Sequence, residues 1–184
     1  MDKIKIACIG DSITELSGYP EIAQQILGIN YIIGNFGASG TTVLFNSEYP
    51  YMYQEAFVEA KKFQPNIAVV MLGTNDANRV FEDFQSDFVN DYLTLLSSIQ
   101  AFDSNPKVLV AIPPHIFGEL LLSGKVFDKK IIPSIEKVAD QFGLPIIDVY
   151  SAMSKPEFFF DGVHPNGEGT RIIANAICNA ISRH

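Results

Sequence analysis

Tryptophan is absent from the 184 residues. There are two cysteines, three histidines, and 13 basic side chains against 21 acidic ones. Each shortage excludes something. Cys8 lies in the first apolar run and Cys178 in the last helical pattern. Two such residues make no disulfide framework and have no metal-site spacing, so buried free thiols are expected. The net charge of −8 leaves no basic face for a nucleic acid and disfavours a polyanionic substrate. No apolar run approaches the ~18 residues of a membrane span. Met1-Asp2-Lys3-Ile4 leads straight into a strand pattern that ends at Gly10-Asp11. That is not a secretory leader, so the expectation is a cytoplasmic protein with no membrane partner. Oligomeric state has no signal here.

What is present is an ordinary globular balance, 47% hydrophobic and 18% charged. The length suits one domain over residues 1–184 with one substantial core. Apolar strand patterns fall at residues 4–9, 31–35, 67–72, 108–112 and 145–148. Several are nearly continuous in Ile, Val and Leu, as parallel strands covered on both faces are. Helical patterns fall between them, at 20–27, 52–63, 87–101, 127–142 and 167–182. The last carries Ile172, Ile173, Ala176, Ile177 and Ala180 on one stripe. Strands alternating with helices predict a doubly wound, three-layer α/β/α domain on a parallel sheet. Repeats, low-complexity tracts and an interdomain linker are not evident.

In such sheets ligands gather outside the carboxyl ends of the strands. Four polar clusters belong there: Gly10-Asp11-Ser12, Gly37-Ala38-Ser39-Gly40-Thr41, Gly73-Thr74-Asn75-Asp76 and Asp161-Gly162-Val163-His164. Three follow strands and the fourth precedes the last helix, so the architecture brings them to one rim.

The clusters hold the parts of an acyl-transfer site. Ser12 follows Gly-Asp at a strand end, where glycine permits a sharp turn and the hydroxyl can be presented as a nucleophile. Read alone, the plainer reading is an N-cap or turn serine. A base should be a histidine. His184 is terminal, and His115 follows Pro113-Pro114 and either lines a pocket or faces solvent. His164 stands three residues after Asp161, whose carboxylate can orient the imidazole or organise its own turn before Pro165. Candidate oxyanion donors are the backbone N–H groups of Ser12 and Gly40 and the side-chain amide of Asn75. The plainer readings are a tight turn at Gly40 and an Asx turn at Asn75. Asp11, Gly73 and Asp76 stand beside these as supporting residues.

Taken together, "GDSIT", "NFGASGTT", "GTND" and "DGVHP" resemble, in order and spacing, the SGNH or GDSL-type hydrolases. The resemblance runs from Ile9 to Pro165, with the last helix following. It implies a flavodoxin-like sheet of strand order 2-1-3-4-5 and a serine esterase that needs no metal or cofactor. By the same resemblance Ser12 is the nucleophile, His164 the base and Asp161 the triad acid. The Ser12 N–H, the Gly40 N–H and the Asn75 amide form the oxyanion hole. One departure is visible: many members carry a glycine soon after the serine block, where Glu15-Leu16-Ser17-Gly18 stands here.

The substrate expected is a small-molecule ester. Tyr49, Tyr51 and Tyr53 lie just past the Gly40 loop, where tyrosines can stack on a sugar, and Tyr49 and Tyr51, with His115, are candidates to line a pocket. The alternative for Tyr53 and Phe57, four apart, is helix core. The string through "FQPNIAVVMLGTNDAN" looks like bacterial carbohydrate O-acetylesterases of the family, sialate acetylesterase-like members included. The lack of a long insertion argues for an open pocket and a small acyl group such as acetyl. Alternatives are a lysophospholipase or thioesterase, a catalytically silent carbohydrate-binding relative, and a nucleotide- or flavin-binding protein. Against the last, "IGNFGASG" lacks the GxGxxG spacing.

Overall fold

A computed structural model describes residues 2–78, 85–118 and 121–183. The apolar runs form β1 (Ile4–Gly10), β2 (Tyr31–Gly37), β3 (Ile67–Met71), β4 (Lys107–Ile112) and β5 (Ile146–Asp148). All pair in parallel, in the order β2-β1-β3-β4-β5.

The runs are continuous because the sheet is covered on both faces, and the strand period of two divides them between two cores. Ala7, Ile9, Ala68, Val70, Val108 and Val110 face one layer, made by α3 (Glu55–Phe63), α4 (Gln85–Gln100) and α6 (Ile132–Phe142). Ile6, Cys8, Val69, Met71, Leu109 and Ala111 face the other, made by α2 (Tyr19–Leu27) and α8 (Gly167–Ile181). Both cysteines are buried free thiols. Edge strand β2 is only half-buried along its length, as one covered flank allows.

From β1 the chain passes to β2 on one side, then crosses to β3 on the other. The crevice of the sheet therefore opens between the carboxyl ends of β1 and β3, where Gly10-Asp11-Ser12 and Gly73-Thr74-Asn75-Asp76 emerge.

Several elements differ from expectation. The buried stripe of α8 is Ile173, Ala174, Ile177, Cys178 and Ile181, while Ile172, Ala176 and Ala180 lie at its margin. The face is rotated because α2 packs on α8 beside the sheet and widens its covered arc. The helix expected over 52–63 breaks at Gln54, whose ψ of 156° is extended, into a 3-10 turn (Tyr51–Tyr53) and α3. Phe57 packs against the core, but Tyr53 is exposed. The helix expected over 127–142 begins as α5 (Gly124–Val126), widens into a π turn (Phe127–Ile131) and continues as α6. Pro133 stands at that joint with no N–H to donate to the preceding turn.

Candidate active site

Ser12 opens α1 (Ser12–Leu16), a short helix set directly on the end of β1. Asp11 caps it, its Oδ1 accepting the Ile13 N–H at 2.9 Å. Gly10 makes the close approach possible. A Cβ there would lie 2.0 Å from Thr14 Oγ1 and 2.7 Å from the Met71 carbonyl oxygen. The Ser12 hydroxyl is thus held at the first turn of a helix, with its side chain at the rim.

His164 comes from the loop before α8, 152 positions away in sequence, and its Nε2 lies 2.9 Å from Ser12 Oγ. On the far side of the ring, Nδ1 lies 2.6 Å from Asp161 Oδ2. Asp161 Oδ1 accepts the backbone N–H of His164 at 2.7 Å and of Val163 at 2.9 Å. Burial raises the Asp161 pKa, but these hydrogen bonds and the imidazole outweigh it and hold the carboxyl below its ordinary value. An ionised Asp161 accepts only. Nδ1 therefore carries the proton, and Nε2 is left to accept the Ser12 hydroxyl. The arrangement can withdraw the serine proton and stabilise the imidazolium that results.

The loop after β2 supplies the opposite wall. Gly40 takes a φ of +76°, in the left-handed region that a side chain disfavours. Asn75, in the 3-10 turn after β3, donates one amide hydrogen to the Thr41 carbonyl oxygen at 2.9 Å. Its second amide hydrogen remains for a ligand. Ser12, Gly40, Asn75 and His164 line one cavity of about 630 Å³.

Beneath this wall lie two buried carboxylates. Asp76 accepts the N–H groups of Val43, at 2.9 Å, and Leu44, at 3.0 Å. Burial pushes Asp76 up to about 7, against those hydrogen bonds and with the help of the nearby Asp11 charge. Burial likewise pushes Asp11 up to about 6, opposed by the Ile13 N–H, Thr74 and the His164 charge. Gly73, with a φ of +122°, turns the chain between β3 and these groups.

The family model described as "GDSL-like Lipase/Acylhydrolase family" matches residues 8–172. The chain belongs to that family. That description covers lipases and acylhydrolases. An acetylxylan esterase from Xylanibacter ruminicola is 33% identical over 98% of this chain, which spans 43% of that protein's length. Among solved structures, an inhibitor-bound M. smegmatis aryl esterase superposes with a TM-score of 0.82 at 18% identity, covering 98% of this chain and 99% of that one. A carbohydrate acetylesterase from Sinorhizobium meliloti superposes with a TM-score of 0.79 at 20% identity, covering 98% and 99%. At these identities the structural matches establish the shared fold.

In this GDSL-like chain two pocket candidates lie elsewhere than expected. Tyr51 is fully buried, and its hydroxyl donates to the Phe36 carbonyl oxygen at 2.6 Å. Its apolar ring completes the core under β2, so it cannot stack on a ligand. His115 stacks between Tyr150, with ring centroids 3.5 Å apart, and Phe117, at 5.4 Å. It is not among the residues lining the cavity, and burial lowers its pKa against the pull of Asp128 and Asp148. Tyr49 does line the cavity and is 53% exposed.

Other lining residues of this GDSL-like site went unread in the sequence. Leu16, Leu122 and Val163 form an apolar side, joined by Leu121. Leu122 arrives because it bridges to Asn78, next to the Asn75 turn, while the Ser123 N–H donates to the Ala77 carbonyl oxygen. That long-range pairing has no local signature. Leu16 was findable: it stands four residues after Ser12, one helical turn on. No helix among the described residues is long and apolar enough to cross a membrane.

Proposed function

We propose that this chain is a serine esterase that removes small acyl groups, acetyl foremost, from O-acylated carbohydrates through an acyl-enzyme on Ser12. One observation carries the reading. An unbroken hydrogen-bond chain, Ser12 to His164 at 2.9 Å and His164 to Asp161 at 2.6 Å, opens on a cavity that Gly40 and Asn75 also line. Residues 1–184 act as one catalytic domain in this reading, since all five strands join one sheet.

The chemistry follows from the geometry. Ser12 Oγ attacks the ester carbonyl carbon as His164 Nε2 takes its proton. The carbonyl oxygen becomes an oxyanion facing the Ser12 and Gly40 N–H groups and the free Asn75 amide hydrogen. Collapse breaks the bond to the alcohol, whose oxygen receives the proton from Nε2. Water, deprotonated by the same nitrogen, then attacks the acyl-enzyme and frees the carboxylic acid and Ser12. Asp161 keeps the ring in the required tautomer throughout. The acetyl and carbohydrate parts of the proposal rest on the acetylxylan esterase relative.

A second reading, a longer-chain acylhydrolase, is favoured by the apolar side formed by Leu16, Leu121, Leu122 and Val163. A fluorophosphonate should label Ser12 alone, and Ser12→Ala should abolish turnover of acetyl esters with the fold intact. Labelling of another serine, or an active Ser12→Ala enzyme, overturns the assignment. A catalytically silent binding relative would show neither labelling nor turnover.

A further inference from the structure

A second cavity of about 680 Å³ meets the first at Ser12, Leu16, Asp161 and His164, but Gly40, Asn75 and Tyr49 take no part in its lining. Its outer wall is Phe160. Three phenylalanines stand in a row before Asp161. Phe158 and Phe159 are buried, whereas Phe160 is 71% exposed. The exposed ring lies nearly parallel to the His164 imidazole, at an interplanar angle of 16° with centroids 5.8 Å apart. Its position relative to the base is fixed by the backbone. The Phe160 N–H donates to the His164 carbonyl oxygen at 3.1 Å, and Phe159 bridges to Pro165.

An ester bound for attack has its carbonyl oxygen at the Gly40 and Asn75 donors. Its leaving oxygen must then approach His164 Nε2 to be protonated. The alcohol therefore lies on the His164 side of Ser12, where the second cavity begins. Resting on the proposed esterase reading, we infer that this cavity holds the alcohol half of the ester, as a pyranose ring laid flat on Phe160. A pyranose has a face of C–H groups that covers an aromatic ring and leaves its hydroxyls at the edge. An exposed phenylalanine, which gains only by being covered, is suited to that face.

Asn166 and Thr170, two polar side chains of the cavity, spend much of their hydrogen-bonding capacity on the protein. Asn166 Oδ1 caps α8 through the N–H groups of Glu168 and Gly169, and its Nδ2 donates to the Glu157 carbonyl oxygen at 2.7 Å. Thr170 Oγ1 donates to the Asn166 carbonyl oxygen at 2.8 Å.

The test compares wild type, Phe160→Ala and Phe160→Tyr on two acetates: an acetylated methyl β-xylopyranoside and vinyl acetate, whose leaving group has no ring. Phe160→Ala should lose roughly tenfold in kcat/KM on the sugar acetate, chiefly through KM, as expected for one lost ring contact. It should change less than twofold on vinyl acetate, which also reports that the catalytic groups remain in place. Phe160→Tyr should keep the wild-type ratio between the two substrates. An equal loss on both acetates would assign Phe160 to supporting His164, and no loss on either would leave it idle; both overturn the inference while the esterase reading stands. A wild type inactive on both removes the esterase reading itself. A wild type active on vinyl acetate alone removes the pyranose.

Discussion

Glu15 and Ser39 tie the helix that begins at Ser12 to the loop that carries Gly40. The Glu15 carboxylate accepts the Ser39 N–H at 2.8 Å and also the Ser39 hydroxyl. The proposed nucleophile and a proposed oxyanion donor are thus braced against each other by one exposed side chain. Glu15 touches no reacting atom and is a positioning residue. Glu15→Ala should lower kcat several-fold with KM little changed, because looser donors weaken the transition state more than the ground state. Glu15→Gln, which keeps an acceptor oxygen, should recover much of the loss. A change confined to KM, or no rescue by glutamine, would rule out this role.

The triad assignment predicts non-additivity. His164→Ala should cost about as much as Ser12→Ala, and the double variant little more, because the groups act as a unit. Asp161→Asn should lower kcat by about three to four orders of magnitude, since the amide can present an N–H to Nδ1 and stabilise the wrong tautomer. His115, packed on Tyr150 outside the cavity, should tolerate alanine with kcat nearly unchanged. Steady-state kinetics on vinyl acetate would read all five variants, and a dead His115→Ala beside an active His164→Ala would refute the triad.

The buried carboxylates predict a pH dependence of stability. Asp11, raised to about 6, and Asp76, raised to about 7, hold protons in the folded state that they release when unfolded. Their folded pKa values lie above the unfolded ones, so their contribution is complete below about pH 4 and is lost as pH rises through 6 and 7. His115, lowered by burial, works in the opposite direction over part of this range. The difference between variants isolates the acids. Asp76→Asn should flatten the fall in melting temperature between pH 5 and pH 8 relative to wild type, whatever its effect on absolute stability. An unchanged slope would show that Asp76 is ionised throughout.

Much of the fold was legible in the sequence for physical reasons. A parallel strand covered on both faces must be apolar at every position, and residues 67–72 and 108–112 stand out on that ground. Strand order is different. Periodicity does not order parallel strands, and 2-1-3-4-5 came with the family resemblance. Glycines and short polar residues at strand ends marked where Ser12, Gly40 and Asn75 emerge, because tight turns and close backbone approaches demand them. The misreadings concern side chains whose direction depends on distant partners. Tyr51 points inward because the chain turns at Gln54 and the Phe36 carbonyl oxygen needs a donor. Leu122 reaches the site through a bridge to Asn78, 44 positions earlier. Residues 79–84, within the interval before α4, lie outside the described residues.

Acyl length separates the two functional readings. The first cavity offers Leu16, Leu121, Leu122 and Val163 as an apolar side, so a longer chain has something to touch. Touching is not burial. Leu16 is 68% exposed and Leu121 is 72% exposed. A methylene gains about 0.8 kcal/mol only when it is fully removed from water. Against so open a wall each added methylene gains a fraction of that, and ordering the flexible chain offsets part of what remains. The gain should therefore fade after the first few carbons. On vinyl esters, which keep the leaving group constant, kcat/KM should be highest at acetyl or butyryl and decline through octanoyl. Leu122→Ala should change the butyryl-to-acetyl ratio by only a few-fold. A rate that climbs steadily from acetyl to palmitoyl would show a deeper, enclosed apolar groove and would decide for the longer-chain acylhydrolase.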